Sequence, residues 1–337
     1  MILRGFPEQI WRSRPKRAAF VLAAFVLLAT ITARPPDPPP PGPARAELSV
    51  TAVTLDASDP ARRRIGALDY LAGWRFTSNS PRFGAISAMH VAGGEVIALN
   101  DAGTILRFAV PRRAGREPVQ LIPLPRGPGP ATRKSNRDTE SLYLDGTWLW
   151  AGFEKYNMIW RYRRADLAAA SASRPRLMRR WRVNAGPEAM VRLPDGRFIV
   201  FGEGASDRRR TSEAVLFAGD PADPATRAAP LRYLRVPGYR ITDAALLPDG
   251  RLILLNRRYA MFEGISAVVT VADISRLRPG GTIAGREIAV LRPPLTVDNM
   301  EALSVTVENG RTIVWIASDD NFFPLQQTLL LKFALVE

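Results

Sequence analysis

The chain has 337 residues, 47 Lys and Arg against 32 Asp and Glu, a formal charge of +15, one His and no Cys. The absence of cysteine excludes a disulfide framework and a thiol for lipid attachment, and a lone imidazole, His90, leaves zinc without its usual ligands. About 290 residues follow a proline-rich start, enough to bury one large core.

Arg4, Arg12, Arg14, Lys16 and Arg17 precede an uninterrupted apolar and small-residue stretch over 18–33, and a proline-rich run over 35–43 follows it. A basic start followed by an apolar core has the make-up of an export signal. The expectation is a hydrophobic helix over 1–33, either a signal peptide cut after Ala33 or an uncleaved membrane anchor. A semi-rigid linker over 34–46 then leads to one domain over 47–337. The protein would sit in the periplasm or outside the cell, touching the membrane through the N-terminal segment if that is uncleaved.

From Ser87 onward one pattern recurs five times: a polar residue, an apolar strand, a Gly-centred turn, a second apolar strand and another polar residue. The copies read ISAMHVAGGEVIALND, TESLYLDGTWLWAGFE, PEAMVRLPDGRFIVFGE, TDAALLPDGRLILLNR and MEALSVTVENGRTIVWIASD, anchored at Ser87, Glu140, Glu188, Asp243 and Glu301 with spacings of 53, 48, 55 and 58. Asp-Gly and Asn-Gly pairs supply the backbone angles of tight hairpins, and this period suits a four-stranded propeller blade. Third strands are expected over 105–110, 158–162, 214–217, 267–274 and 328–335, and fourth strands over 119–124, 177–183, 231–236 and 287–291. Strand-like runs over 48–55 and 65–76 predict a sixth blade, with 47–55 completing the blade of the C-terminal strand. The fold class is therefore all-β, a six-bladed β-propeller.

In a propeller the start of a blade's first strand and the end of its second share one rim. The anchors would thus meet Asp101, Glu154, Glu203, Arg257 and Asp319, which follow them by 14 to 18 residues, with Asp138, Asp298 and Asp320 alongside. Crowded carboxylates repel unless a cation or an arginine offsets them. Calcium accepts six to eight oxygens in flexible geometry, so it suits ligands delivered from separate blades. The opposing reading is that such acids cap turns and bind backbone amides.

The segments RDTESLYLDGTWLWAGFEKYNMIWRY, GPEAMVRLPDGRFIVFGEG, ITDAALLPDGRLILLNRRY and DNMEALSVTVENGRTIVWIASDDNF resemble the bacterial family known as esterase-like activity of phytase, over about 67–335. The resemblance implies an exported six-bladed propeller related to calcium-dependent phytases, hydrolysing a phosphomonoester or other ester. Its acidic motif residues fall on Glu140, Glu188, Glu203, Glu301, Asp319 and Asp320. Ser87 and Arg257 depart from an all-acid pattern.

Combining the two readings, Glu140, Glu188, Glu203, Asp243, Glu301 and Asp319 are the expected calcium ligands. Glu188, Glu301 and Arg257 are the expected catalytic groups, and Arg257, Arg258 and Lys155 the expected binders of a small anionic substrate. The alternative is a non-catalytic propeller that binds a ligand, envelope polymer or protein at the same mouth. Scattered arginine runs without interleaved aromatics argue against nucleic acid as a partner. A G-x-S-x-G elbow and a phosphate-cradling glycine loop are both missing.

Overall fold

The computed structural model describes residues 42–130, 134–204, 210–261 and 263–336. The expected leader over 1–33 lies outside them, as does the linker up to residue 41. Among the described residues no helix is long and apolar enough to cross a membrane. The linker's last residues are already strand, since Ala44–Ala52 is β.

The described chain is an all-β propeller of five blades. The first blade comprises Ile86–Ala92, Glu95–Asn100, Thr104–Ala109 and Gly115–Pro123; the second comprises Thr139–Leu144, Trp148–Phe153, Met158–Arg163 and Ala169–Ser173. Pro187–Arg192, Phe198–Gly202, Thr211–Phe217 and Ala228–Leu234 form the third, to which Thr282–Ala284 adds in parallel. The fourth is Arg240–Leu246, Leu252–Ala260, Gly264–Ala272 and Arg286–Leu291. The fifth is Met300–Glu308, Arg311–Ser318, Thr328–Leu335 and, from the other end of the sequence, Leu68–Ser78. The five innermost strands neighbour one another in a closed ring.

The packing explains the count. Alternate residues of a strand face opposite sides of its sheet, so each blade offers two apolar faces. Five buried clusters fill the five gaps between blades: Leu99 with Leu142, Trp150 with Phe198, Val191 with Leu252, Ile253 with Leu303, and Met89 with Trp315 are representative pairs. The hairpin turns carry glycines where the angles require them; Gly196 and Gly250 both sit at φ +87°.

A sixth blade does not form. The segment before Ser87 supplies no inner strand, because Leu68–Ser78 is the outer strand of the fifth blade and Ala44–Ala52 pairs antiparallel with both Leu68–Ser78 and Gly115–Pro123. The first and last blades are thereby stitched along their outer edges, which removes two free edges from solvent. The closure expected of 47–55 thus falls to Leu68–Ser78, with the earlier strand beside it. Between them Gly66, at φ +53°, lets Ala67 N donate to Ile288 O at 2.8 Å; a Cβ there would stand 1.9 Å from that oxygen. One other assignment moves: the fourth strand of the second blade is Ala169–Ser173, and 177–183 is a loop. Small Ala and Ser side chains gave that edge strand little hydrophobic signal.

Candidate metal centre

Every inner strand begins with a β-bulge. The ladder skips Ser87, Glu140, Glu188, Thr242 and Glu301 in the five blades. A bulge inserts an unpaired residue and re-aims its side chain, a device common beside active sites. The residue before each bulge faces Asn100, Phe153, Gly202, Asn256 or Ser318, the residue immediately before Asp101, Glu154, Glu203, Arg257 and Asp319. Both polar sets therefore gather at one mouth, as the sequence predicts, with one shift of register: the fourth blade's bulge carries Thr242.

Asp243, expected among the metal ligands, is occupied elsewhere. Its carboxylate accepts from Leu303 N at 2.7 Å and Ala244 N at 2.8 Å, so it ties the fourth inner strand to the fifth. Asp298 likewise accepts from Asn299 N and Gln327 N, and Asp319 from Asn321 N. Asp320 reaches the first blade, where Ala85 N donates to it at 2.8 Å; a Cβ on Gly84, at φ +122°, would come within 2.6 Å of its oxygen. For these acids the turn-and-amide role prevails.

One group differs. Asp138, Glu140 and Glu154 each place a carboxylate oxygen within 4.8 Å of the others. Burial, and then the charges of Glu188, Asp138 and Glu154, push the Glu140 carboxyl well above its usual range. Burial followed by Asp138 and Glu203 raises Glu154 to about 8. Glu188, buried beside Glu203, Glu154 and Glu301, is pushed up in the same way. The sequence points to Glu140 as a ligand and to Asp138 and Glu154 only as its neighbours at the rim. The signal for both was present in the DTE and FE positions of the second repeat.

The opposite side of the mouth carries its own compensation. Arg257 Nε lies 3.2 Å from Glu301 Oε1, its Nη1 donates to Asn299 Oδ1 at 2.7 Å, and Nη2 lies 3.5 Å from Glu203 Oε1. Arg240 Nη1 meets the other oxygen of Glu203 at 2.9 Å. Burial opposes the Arg257 charge, but Glu301, Glu203, Glu188 and Asp319 outweigh it and hold its pKa above the ordinary value. Burial lifts Glu301 to about 7 against the pull of Arg257.

The other two basic residues expected at the substrate are engaged nearby. Arg258 pairs with Glu263 at 3.2 Å and faces the Tyr239 ring. Lys155 donates to Ser135 Oγ at 3.0 Å and lies 3.4 Å from Asn136 Oδ1. His90 is half-buried on the first inner strand, and burial lowers its pKa.

The profile of the phytase-like family, described as esterase-like activity of phytase, matches residues 81–322. The chain belongs to this family. Among solved structures, this phytase-like chain is similar to Myxococcus xanthus glutaminyl cyclase, at 10% identity over 80% of this chain and 97% of that one, with a TM-score of 0.46. An α-L-arabinanase of Cellvibrio cellulosa in complex with arabinohexaose aligns at 12% identity, 74% and 92% coverage and 0.44. A putative gluconolactonase gives 14%, 89%, 97% and 0.41. No curated protein sequence matches the chain.

The donor set fits a hard cation. Three carboxylates supply oxygen only, at spacings a single ion can span, in a place where burial and neighbouring charge raise the pKa values of Glu140 and Glu154.

Proposed function

We propose that this phytase-like propeller is an exported, calcium-assisted hydrolase acting on a phosphomonoester or a related ester. Membership of the family supports hydrolysis, and the basic start followed by the apolar stretch over 18–33 supports export. The observation that carries the reading is the convergence of Asp138, Glu140 and Glu154.

Those three residues would hold the ion, with Glu188 from the third blade beside them. A bound calcium supplies positive charge against the phosphoryl oxygens. Arg257 donates from Nη1 to Asn299 and from Nη2 to Glu203 and pairs through Nε with Glu301, which leaves one N–H on each terminal nitrogen for a substrate oxygen. Its partners fix the guanidinium plane, so orientation costs little when an anion arrives. Glu301, with a pKa of about 7, is matched to carrying a proton in either direction near neutrality. Burial and the charges of Glu203 and Glu154 push the Glu188 carboxyl up, and a cation would offset those two charges.

Calcium titration of the full chain with a chromogenic phosphomonoester tests the reading. Turnover should require calcium and should be lost in Glu140→Gln and Glu154→Gln. Calcium stabilisation without turnover would transfer support to the non-catalytic binding propeller. Turnover indifferent to calcium and to both substitutions would end the metal-assisted proposal.

A further inference from the structure

We infer that the mouth-side face of the propeller docks onto an anionic lipid surface through the loop over 174–183, between the second and third blades. That loop reads RPRLMRRWRV: five arginines in ten residues and no acid. Arg174, Arg176, Arg179, Arg180 and Arg182 are all exposed, and none forms a salt bridge among the described residues. Many other arginines of the chain are paired, as Arg161 is with Asp220 and Arg192 with Asp145.

The loop is held in one shape. Met178 and Trp181 are buried in the cluster that joins the second and third blades, and successive amide bonds run from Met178 N to Pro175 O and from Trp181 N to Met178 O. Trp181 also accepts from Asn157 Nδ2 at 3.0 Å, and a Cβ on Gly202 would stand 3.2 Å from its ring. Anchoring two residues three apart forces the intervening arginines outward.

Charge alone would fit any polyanion; the aliphatic groups between the arginines favour lipid. Leu177 is 37% and Val183 62% exposed on the loop itself. A blade's fourth strand runs back toward the mouth, so this loop shares its side with the second-to-third-strand connections. Those carry Tyr259 and Met261 at the tip of the fourth blade's hairpin and Leu325 in the fifth blade's loop, each more than two-thirds exposed. Guanidinium groups interleaved with aliphatic side chains match a bilayer boundary, where phosphates lie above acyl chains. Soluble phosphates or nucleic acid would leave the aliphatic groups in water.

The test uses the full chain with vesicles of phosphatidylcholine alone or mixed with phosphatidylglycerol, read by hydrogen exchange and by co-sedimentation. Residues 174–183 should be protected on the anionic vesicles only, and salt should reverse the protection. The quadruple substitution R176Q/R179Q/R180Q/R182Q should cut the excess binding to anionic over neutral vesicles by about tenfold or more, with calcium-dependent stabilisation retained. L177N/V183N should weaken the anionic binding more mildly. Hydrogen exchange on the unsubstituted protein decides the matter if the quadruple variant is poorly folded. Equal behaviour on both vesicle types, or protection by an oligonucleotide or polyphosphate but not by vesicles, overturns the proposal.

Discussion

Arg257 Nε and Glu301 Oε1 lie 3.2 Å apart and link the second strand of the fourth blade to the inner strand of the fifth. The guanidinium side chain is 27% exposed and faces four carboxylates, so it neutralises the half of the mouth that lacks the metal-type cluster. Removing it strands Glu301 in a poorly solvated place and leaves Glu203 to Arg240 alone. Arg257→Ala should therefore cost about 2–3 kcal/mol in urea unfolding, below the full value for a buried pair because water still reaches the group. Glu301→Gln should cost less, since Arg257 keeps Glu203 and Asn299.

Asp243 and Glu140 separate structure from ligation. Asp243→Asn disturbs the bond to Leu303 N and should lower stability by about 1–2 kcal/mol while the calcium response persists. Glu140→Gln should do the reverse: little loss of stability without metal, and no calcium-induced rise in melting temperature. For the unsubstituted protein, calcium at about one hundred times its Kd should add about 2.7 kcal/mol. Differential scanning fluorimetry with and without a chelator checks both.

Stability of the metal-free protein should fall with rising pH. Glu154 titrates near 8 and Glu301 near 7 when folded, against 4.5 for an ordinary glutamate, so the folded chain holds more protons than the unfolded one between those values. Its stability is then highest below about pH 4.5 with respect to these groups, declines as pH climbs to about 8, and levels off above. Calcium should flatten the slope by taking the place of the protons. Urea midpoints at a series of pH values, with chelator and with calcium, provide the measurement.

Gly66→Ala should be among the most damaging single-methyl changes. The added carbon meets Ile288 O at 1.9 Å, and φ of +53° disfavours any side chain. A loss of about 2 kcal/mol or more is expected in chemical denaturation, whereas Gly196→Ala, with open space around its Cβ position, should carry only the backbone penalty.

The repeat announced most of this architecture because hairpin chemistry is local: an Asp-Gly turn between two apolar strands needs no distant partner to be recognised. The bulged positions were legible in four blades for a similar reason, since Glu140, Glu188 and Glu301 each stand one residue into the strand, as Ser87 does. Thr242 broke the pattern. The neighbouring acid drew the anchor to Asp243, and only the pairing with Leu255 shows the true register. Blade number was not legible, because whether Leu68–Ser78 begins a new blade or finishes an old one depends on a pairing with Thr328–Leu335, some 250 residues away. Nor did the sequence rank the acids. Asp138, Glu140 and Glu154 resemble Asp298 and Asp320 in composition; which amide an acid meets is decided by the path of the loops, as with Gln327 N on Asp298 and Ala85 N on Asp320.

The stitch between the outer edges also constrains how the molecule is made. Leu68–Ser78 leaves the ribosome early and must wait for Thr328–Leu335 before the fifth sheet can exist, so closure is a long-range event with a slow clock. Until then the strands of the first and fifth blades stand open to other chains, and nascent protein held in that interval is the form most exposed to aggregation.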